Sequence, residues 1–165
     1  MRGWTPALLV ALGAVFLLGI VVRVVLWPAQ GLRGDIDQFV VWVHGIALHG
    51  LTNAYDQNLT FGPVMSFIWG TLAAIEPAFR TATDASDQTI RVLMKIPASL
   101  ADLGLAGLAV YALRQRPGWA VVAAIAILLH PAVFYVSAWW GQYESIYLLT
   151  ALASGTSRTR KIRAP

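Results

Sequence analysis

The sequence begins with an apolar run that is long enough to cross a membrane. Trp4 to Trp27 comprise 24 residues with a single charged side chain, Arg23. At about 1.5 Å of rise per residue, a helix over this run spans the ~30 Å hydrocarbon core of a bilayer. A cleaved signal peptide is the alternative, but the run is too long for one and no small-x-small site closes it. We therefore predict an uncleaved membrane helix whose Arg23 reaches the headgroups.

The composition supports the same class of protein. Hydrophobic residues make up 58% of the 165 residues and charged residues 12%, and the mean hydropathy is +0.64. A single soluble core does not bury so much apolar surface, and disorder requires low hydrophobicity. The absence of cysteine excludes disulfides, zinc-thiolate sites and a thiol nucleophile. The net charge of +4 comes from basic residues beside apolar runs, so we assign it to membrane topology and expect no nucleic-acid partner.

Three later segments complete the predicted bundle. Val92–Leu113 and Trp119–Trp140 are long enough to span, whereas Tyr143–Ser154 reaches only roughly 18 Å as a helix. We predict an all-α, polytopic membrane helix bundle with about four spans in residues 1–154. A basic cytoplasmic tail is expected over residues 155–165.

The basic residues orient these spans. By the positive-inside rule, Arg2, the pair Arg114/Arg116 and the tail are cytoplasmic. A return to the inside at Arg114 needs an even number of crossings, which the first helix and Val92–Leu113 already provide. Phe61–Phe79 is therefore predicted to lie in the interface or to be re-entrant in the first outer loop, because a full crossing would turn Arg114 and Arg116 outward. We expect a multi-pass protein of the cell membrane.

An acidic pair, Asp35 and Asp37, directly follows the first helix. Apolar residues recur after it at helical spacing: Ile36, Val40, Val43 and Ala47, and Phe39, Trp42 and Ile46. This pattern predicts a short amphipathic helix on the membrane surface with Asp35 as its N-cap. The carboxylates can instead supply a general base or oxygen ligands for Mg²⁺ or Mn²⁺. His44 and His49 do not share a helix face, so we expect hydrogen bonding from them and not metal binding.

Polar residues also lie in or beside the later spans. Lys95 is in the outer turn of its span, where it can snorkel or bind an anionic group such as a lipid phosphate. Asp102 is deeper and can pair with Lys95 or Arg23. Trp139 and Trp140 suit an interfacial aromatic belt. The following Gly141 permits a tight turn, after which Gln142 and Glu144 present polar groups at the outer mouth of the bundle.

Five motifs follow one another along roughly residues 33–153. They are Asp35-Ile36-Asp37-Gln38-Phe39 with Trp42, Gly50 with Tyr55, Phe61-Gly62-Pro63-Val64, Lys95-Ile96-Pro97 with Asp102, and His130-Pro131-Ala132-Val133 with Ser137-Ala138-Trp139-Trp140-Gly141-Gln142-Tyr143-Glu144-Ser145. In order and spacing they resemble the N-terminal part of a GT-C superfamily glycosyltransferase, most closely the mannosyltransferase-like branch. His130 stands where the family commonly has Asn, and Glu144 where it has Asp. The chain is shorter than members of that family, so we expect a truncated or frameshifted portion.

The resemblance implies transfer of a sugar from a polyprenyl-phosphate-linked donor to an acceptor on the outer face of the membrane. Asp35, with Asp37 second, would be the catalytic base or would help to hold a divalent metal. Substrate binding would fall on Lys95, Trp140, Gln142 and Glu144. The expected partners are the lipid bilayer, the lipid-linked donor and a possible partner membrane subunit.

Two other classes of function remain open. A non-catalytic small membrane protein or assembly partner would pack through the surface around Gly104 and Gly107. A transporter fragment would use Lys95 and Asp102 as a charge relay. The acidic outer loop favours the transferase, because a relay does not need one.

Overall fold

The chain is helical wherever regular structure is described. The computed structural model describes the backbone of residues 3–162 and the side chains of these residues except Gln57 and 155–162. The helices are α1 (Pro6–Leu26), α2 (Arg33–His49), α3 (Pro63–Ile75), α4 (Gln88–Ala112), α5 (Pro117–Leu128), α6 (Pro131–Phe134) with a π-helical turn (Tyr135–Trp140), and α7 (Glu144–Ile162), and two 3-10 segments cover Leu51–Gln57 and Pro77–Arg80. Within this part of the chain there is no strand, which confirms the all-α prediction.

Two of the described helices, α1 and α4, are long and apolar enough to cross a membrane. Helix α5 and the helical segment Pro131–Trp140 together pass the same test, but the pair is bent by 44°. Most of the apolar surface of α1 is exposed: Val10 and Val25 are each 72% exposed. Such a surface belongs in lipid and not in water, which supports a membrane protein. The count of four spans stays a prediction, as does the non-spanning state of the 13-residue helix α3.

The chain forms two compact units. The bundle unit consists of Met1–Leu26 and Ala98–Pro165, and the inserted unit of Trp27–Pro97. The core of the bundle unit contains Val15, Ala106, Ala124 and Leu128. Glycines bring its helices close together, because a Cβ added at Gly19 would lie 3.0 Å from the Leu128 Cβ, and one at Gly104 would lie 2.8 Å from a methyl group of Leu149.

The inserted unit is built around the apolar face of α2. The side chains of this face are buried against α3 and the two 3-10 segments: Ile36, Phe39, Val40, Trp42, Val43 and Ile46. Phe39, Trp42, Phe61 and Trp69 form one aromatic cluster with ring centroids 5.4–5.9 Å apart. The amphipathic pattern of α2 is therefore confirmed, and its apolar face packs against protein. The position of α2 at the membrane surface stays a prediction.

Candidate functional site

Asp35 lies in the first turn of α2, not at its N-cap. The helix begins at Arg33, and the extended residue Leu32 is the N-cap and makes no side-chain capping bond. The amide of Asp35 already donates to the carbonyl of Leu32 at 3.2 Å. The N-cap prediction is wrong because the helix starts three residues earlier than expected. The partly buried carboxylate instead lies where the helix dipole favours negative charge.

Asp37 has a structural role in the inserted unit. Its Oδ1 accepts a hydrogen bond from the amide of Ala85 at 2.8 Å, and its Oδ2 lies 3.7 Å from the Nε of Arg33. Asp35 and Asp37 are two residues apart on α2, so their side chains leave the helix in different directions. The described residues also contain no cluster of three or more acidic or histidine side chains suited to a metal. The divalent metal stays a prediction.

His44 forms the kind of hydrogen bond that the sequence predicts. Its Nδ1 lies 2.9 Å from the carbonyl oxygen of Phe79, which joins α2 to the second 3-10 segment. His49, at the end of α2, is exposed. The two imidazoles therefore lie in different environments, one partly buried and one exposed.

Two buried cations on α4 hold the connector that follows α1. The Nζ of Lys95 donates to the carbonyls of Trp27, at 3.1 Å, and of Ala29. One turn earlier, Arg91 donates to the carbonyl of Pro28 at 3.1 Å and to two carbonyls of the loop before α4. Lys95 is fully buried, so it does not snorkel: backbone carbonyls satisfy its ammonium inside the inserted unit. Its predicted contact with a lipid phosphate stays a prediction.

A buried ion pair lies inside the bundle unit. Arg23 and Asp102 are 1% and 0% exposed, and the Nε and Nη2 of Arg23 donate to the Asp102 Oδ2 at 3.1 and 2.7 Å. The expectation that Arg23 reaches the headgroups is therefore wrong. Of the two partners predicted for Asp102, Arg23 is confirmed. Pairing stabilises both charges in apolar surroundings, where either one alone would be very costly.

Two serines complete the shell of Asp102. The Ser137 Oγ lies 2.5 Å from Oδ2 of Asp102, and the Ser145 hydroxyl donates to Oδ1. Ser137 belongs to the π-helical turn and Ser145 to the first turn of α7. Asp102 thus connects α1, α4, the π-helical turn and α7. Both serines lie in the motif that ends the sequence resemblance, but nothing in their spacing identified them as partners of Asp102.

At the break between α5 and α6, side chains replace a missing helical hydrogen bond for both its donor and its acceptor. In a continuous helix, the amide of Ala132 would donate to the carbonyl of Leu128. Here that amide donates to the Nδ1 of His130 at 3.2 Å, and the Leu128 carbonyl accepts from the Nη1 of Arg23 at 3.0 Å. Pro131 has no amide hydrogen and therefore needs no hydrogen-bond acceptor. The Ala132 amide and the Leu128 carbonyl are therefore both paired, which matters most in a bilayer core.

The turn before α7 is tight, as predicted for Gly141. Its φ of 93° is in the left-handed region, which glycine adopts without strain. The amides of Gly141 and Gln142 both donate to the carbonyl of Val136 at 3.0 Å. Trp140 and Gln142 are partly buried beside this turn, and Glu144 is exposed at the start of α7. Three of the predicted substrate-binding residues therefore lie within one short segment of the bundle unit.

A groove of about 740 Å³ runs through the bundle unit next to this segment. Its polar end is formed by Asp102, Glu144 and Ser145. The other lining residues are apolar: Leu105, Leu108, Ala109, Ala112, Ile127, Ala132, Val133, Val136, Leu148 and Leu152. From Asp102 to Ala112 the α4 wall extends about 15 Å. The sequence did not predict this groove, because only packing brings the α4 wall against the walls from residues 127–152.

Comparisons with protein families, with curated proteins and with solved structures found no match. The likeness to GT-C glycosyltransferases therefore depends on the sequence motifs alone.

Proposed function

We propose that the chain is an integral membrane glycosyltransferase, or a portion of one, that uses a polyprenyl-phosphate-linked sugar on the outer face of the cell membrane. The observation that carries the proposal is the groove, because its apolar walls and single polar end match a lipid substrate with one polar head. Its volume of about 740 Å³ lies in the range of ~300–1,000 Å³ typical of ligand sites. The sequence motifs supply the reaction type.

The reaction needs a base, a leaving group and a place for an apolar chain. The acceptor hydroxyl loses its proton while its oxygen bonds to C1 of the sugar. The bond from C1 to the phosphate oxygen breaks at the same time, and polyprenyl phosphate leaves. A partly buried carboxylate in the first turn of a helix suits the base, so we assign this role to Asp35. Asp37 is the second candidate, as the sequence motif implies, and its Oδ1 accepts a hydrogen bond from the amide of Ala85.

A transfer assay in proteoliposomes tests the proposal. The donor is a radiolabelled polyprenyl-phosphate hexose, and label is followed into extracted glycolipid. We expect Asp35→Asn to lower the rate on the order of 10²-fold or more, as removal of a general base does. The matched control is Asp56→Asn, which changes an exposed carboxylate of the same unit and should retain activity.

Two results would contradict parts of this proposal. Full activity in Asp35→Asn together with loss in Asp37→Asn would reverse the two roles. No transfer by the unmutated chain, over a range of lipid-linked sugars, would contradict the enzyme and favour a non-catalytic protein.

One observation favours the non-catalytic assembly partner as a second candidate. Gly104 packs against Leu149 inside the bundle unit. A Cβ at Gly107 would meet nothing within 4 Å, and Gly107 is exposed. An exposed glycine on an apolar helix permits close approach of another membrane helix. Loss of a co-purifying membrane subunit in Gly107→Leu, without any transfer activity in the parent chain, would support this candidate.

A further inference from the structure

We infer that the groove holds a lipid whose head group is uncharged and carries hydroxyls, and that it therefore seats the acceptor and not the phosphate-linked donor. The assignment to an acceptor rests on the proposed function. The preference for the head group rests only on the hydrogen bonds and charges at the polar end of the groove.

The side chains at this end offer hydrogen-bond acceptors and no donor. The single hydroxyl hydrogen of Ser145 is donated to Asp102, so Ser145 presents only its lone pairs. Glu144 is an exposed carboxylate, which when ionised accepts hydrogen bonds only. The nearest cation, Arg23, donates through all three of its nitrogens within the bundle and is 1% exposed. A ligand must therefore bring its own donors.

The charges at this end reject an anionic head group. Arg23 and Asp102 neutralise each other, which leaves Glu144, and Glu144 makes no ion pair among the described residues. The first-turn amides of α7 would attract a phosphate, but the Glu144 carboxylate already places negative charge in that turn. A phosphate would therefore meet like charge and no side-chain donor.

A hydroxyl-bearing head group avoids both penalties. Each hydroxyl can donate to Glu144, to the lone pairs of Ser145 or to Asp102, which all line the polar end. An ammonium would find only Glu144 as a partner, because Arg23 already neutralises Asp102, and an ion pair with an exposed carboxylate contributes little against the loss of hydration. The apolar length of the groove beyond Leu105 then takes the hydrocarbon chain.

Protection of a single cysteine measures this preference directly. Leu152 lines the groove and is 48% exposed, so Leu152→Cys places one thiol in the groove of a cysteine-free chain. The full-length variant in lipid nanodiscs reacts with a maleimide in the presence of dodecyl glucoside, dodecyl phosphate or dodecylamine. We expect the glucoside to slow labelling, and the phosphate to need at least about tenfold higher concentration for the same protection.

A second variant isolates the charge. Adding Glu144→Gln should reduce the difference between glucoside and phosphate to within about threefold, because the like charge is gone and the α7 amides remain. Adding Asp56→Asn instead should leave the difference unchanged. Helical circular dichroism confirms that each variant is folded before its labelling rate is compared.

The other outcomes overturn the inference. Equal protection by all three amphiphiles would show that the groove recognises only the chain. Stronger protection by the phosphate or the amine would show that the groove prefers a charged head group. No protection by any of the three would show that the groove is not a ligand site. Protection by the glucoside without sugar transfer would support the head-group preference and contradict the glycosyltransferase. Sugar transfer without protection would support the glycosyltransferase and contradict the head-group preference.

Discussion

The Arg23–Asp102 pair allows a quantitative prediction about the stability of the bundle unit. Replacing one member leaves the other charge buried and unpaired, which costs about 3–5 kcal/mol. We therefore expect Arg23→Met and Asp102→Leu each to lower the free energy of unfolding by roughly this amount. Loss of Asp102 also leaves the Ser145 hydroxyl without its acceptor, which adds about 1 kcal/mol.

The double variant should be less damaged than the sum of the two single variants. It contains no unpaired charge, and its main remaining cost is the carbonyl of Leu128, whose helical amide partner is bound to His130. An unsatisfied buried carbonyl costs about 1–3 kcal/mol. The four variants of the cycle should therefore give a coupling free energy of at least about 3 kcal/mol.

Denaturation with SDS in mixed micelles, followed by circular dichroism, measures each free energy of unfolding. The pair Arg33 and Asp37 provides the matched control, since its atoms are 3.7 Å apart and its side chains are 55% and 29% exposed. Its coupling free energy should stay below about 1 kcal/mol. If the Arg23–Asp102 variants were additive within about 0.5 kcal/mol, the two buried side chains would not interact as described.

Three further predictions concern topology, helix packing and the helix break. In single-cysteine variants, an impermeant reagent added outside intact cells should label position 35 and not position 115, and the reverse result would invert the topology. Gly104→Val should lower the free energy of unfolding by about 1–3 kcal/mol through overpacking, whereas Gly107→Ala should raise it by up to about 1 kcal/mol, and equal effects in SDS denaturation would contradict the packing at Gly104. His130→Ala should cost about 1 kcal/mol in the same assay because it removes the cap on the amide of Ala132, and an unchanged stability would show that this cap is not needed.

The sequence predicted the features that depend on local composition. The apolar runs Trp4–Trp27 and Val92–Leu113 correspond to α1 and α4 within a few residues, because length and hydropathy alone define such helices. Hydropathy treats Trp119–Trp140 as one continuous run, so it did not predict the 44° bend near His130. That break depends on a proline and on a side-chain cap, which hydropathy does not register.

The candidate site was harder to predict because its contacts are distant in sequence. Arg23 and Asp102 are 79 residues apart, and Asp102 and Ser145 are 43 apart. Spacing allowed Arg23 as one of two partners for Asp102, but only packing could choose between them. The prediction of Asp35 as N-cap was wrong for a local reason. The N-cap is Leu32, which has no capping side chain and is a residue type that N-cap preferences disfavour.

Photo-crosslinking tests most directly whether the groove seats the chain of a lipid substrate. An alkyl glucoside with a diazirine in its chain is irradiated with the protein in proteoliposomes, and the labelled peptides are mapped by mass spectrometry. Crosslinks should concentrate on Leu105, Leu148 and Leu152, which line the groove, and unlabelled glucoside should compete with them. Crosslinks confined to the outward residues of α1, such as Val10 and Val25, with no competition, would contradict the lipid-substrate groove.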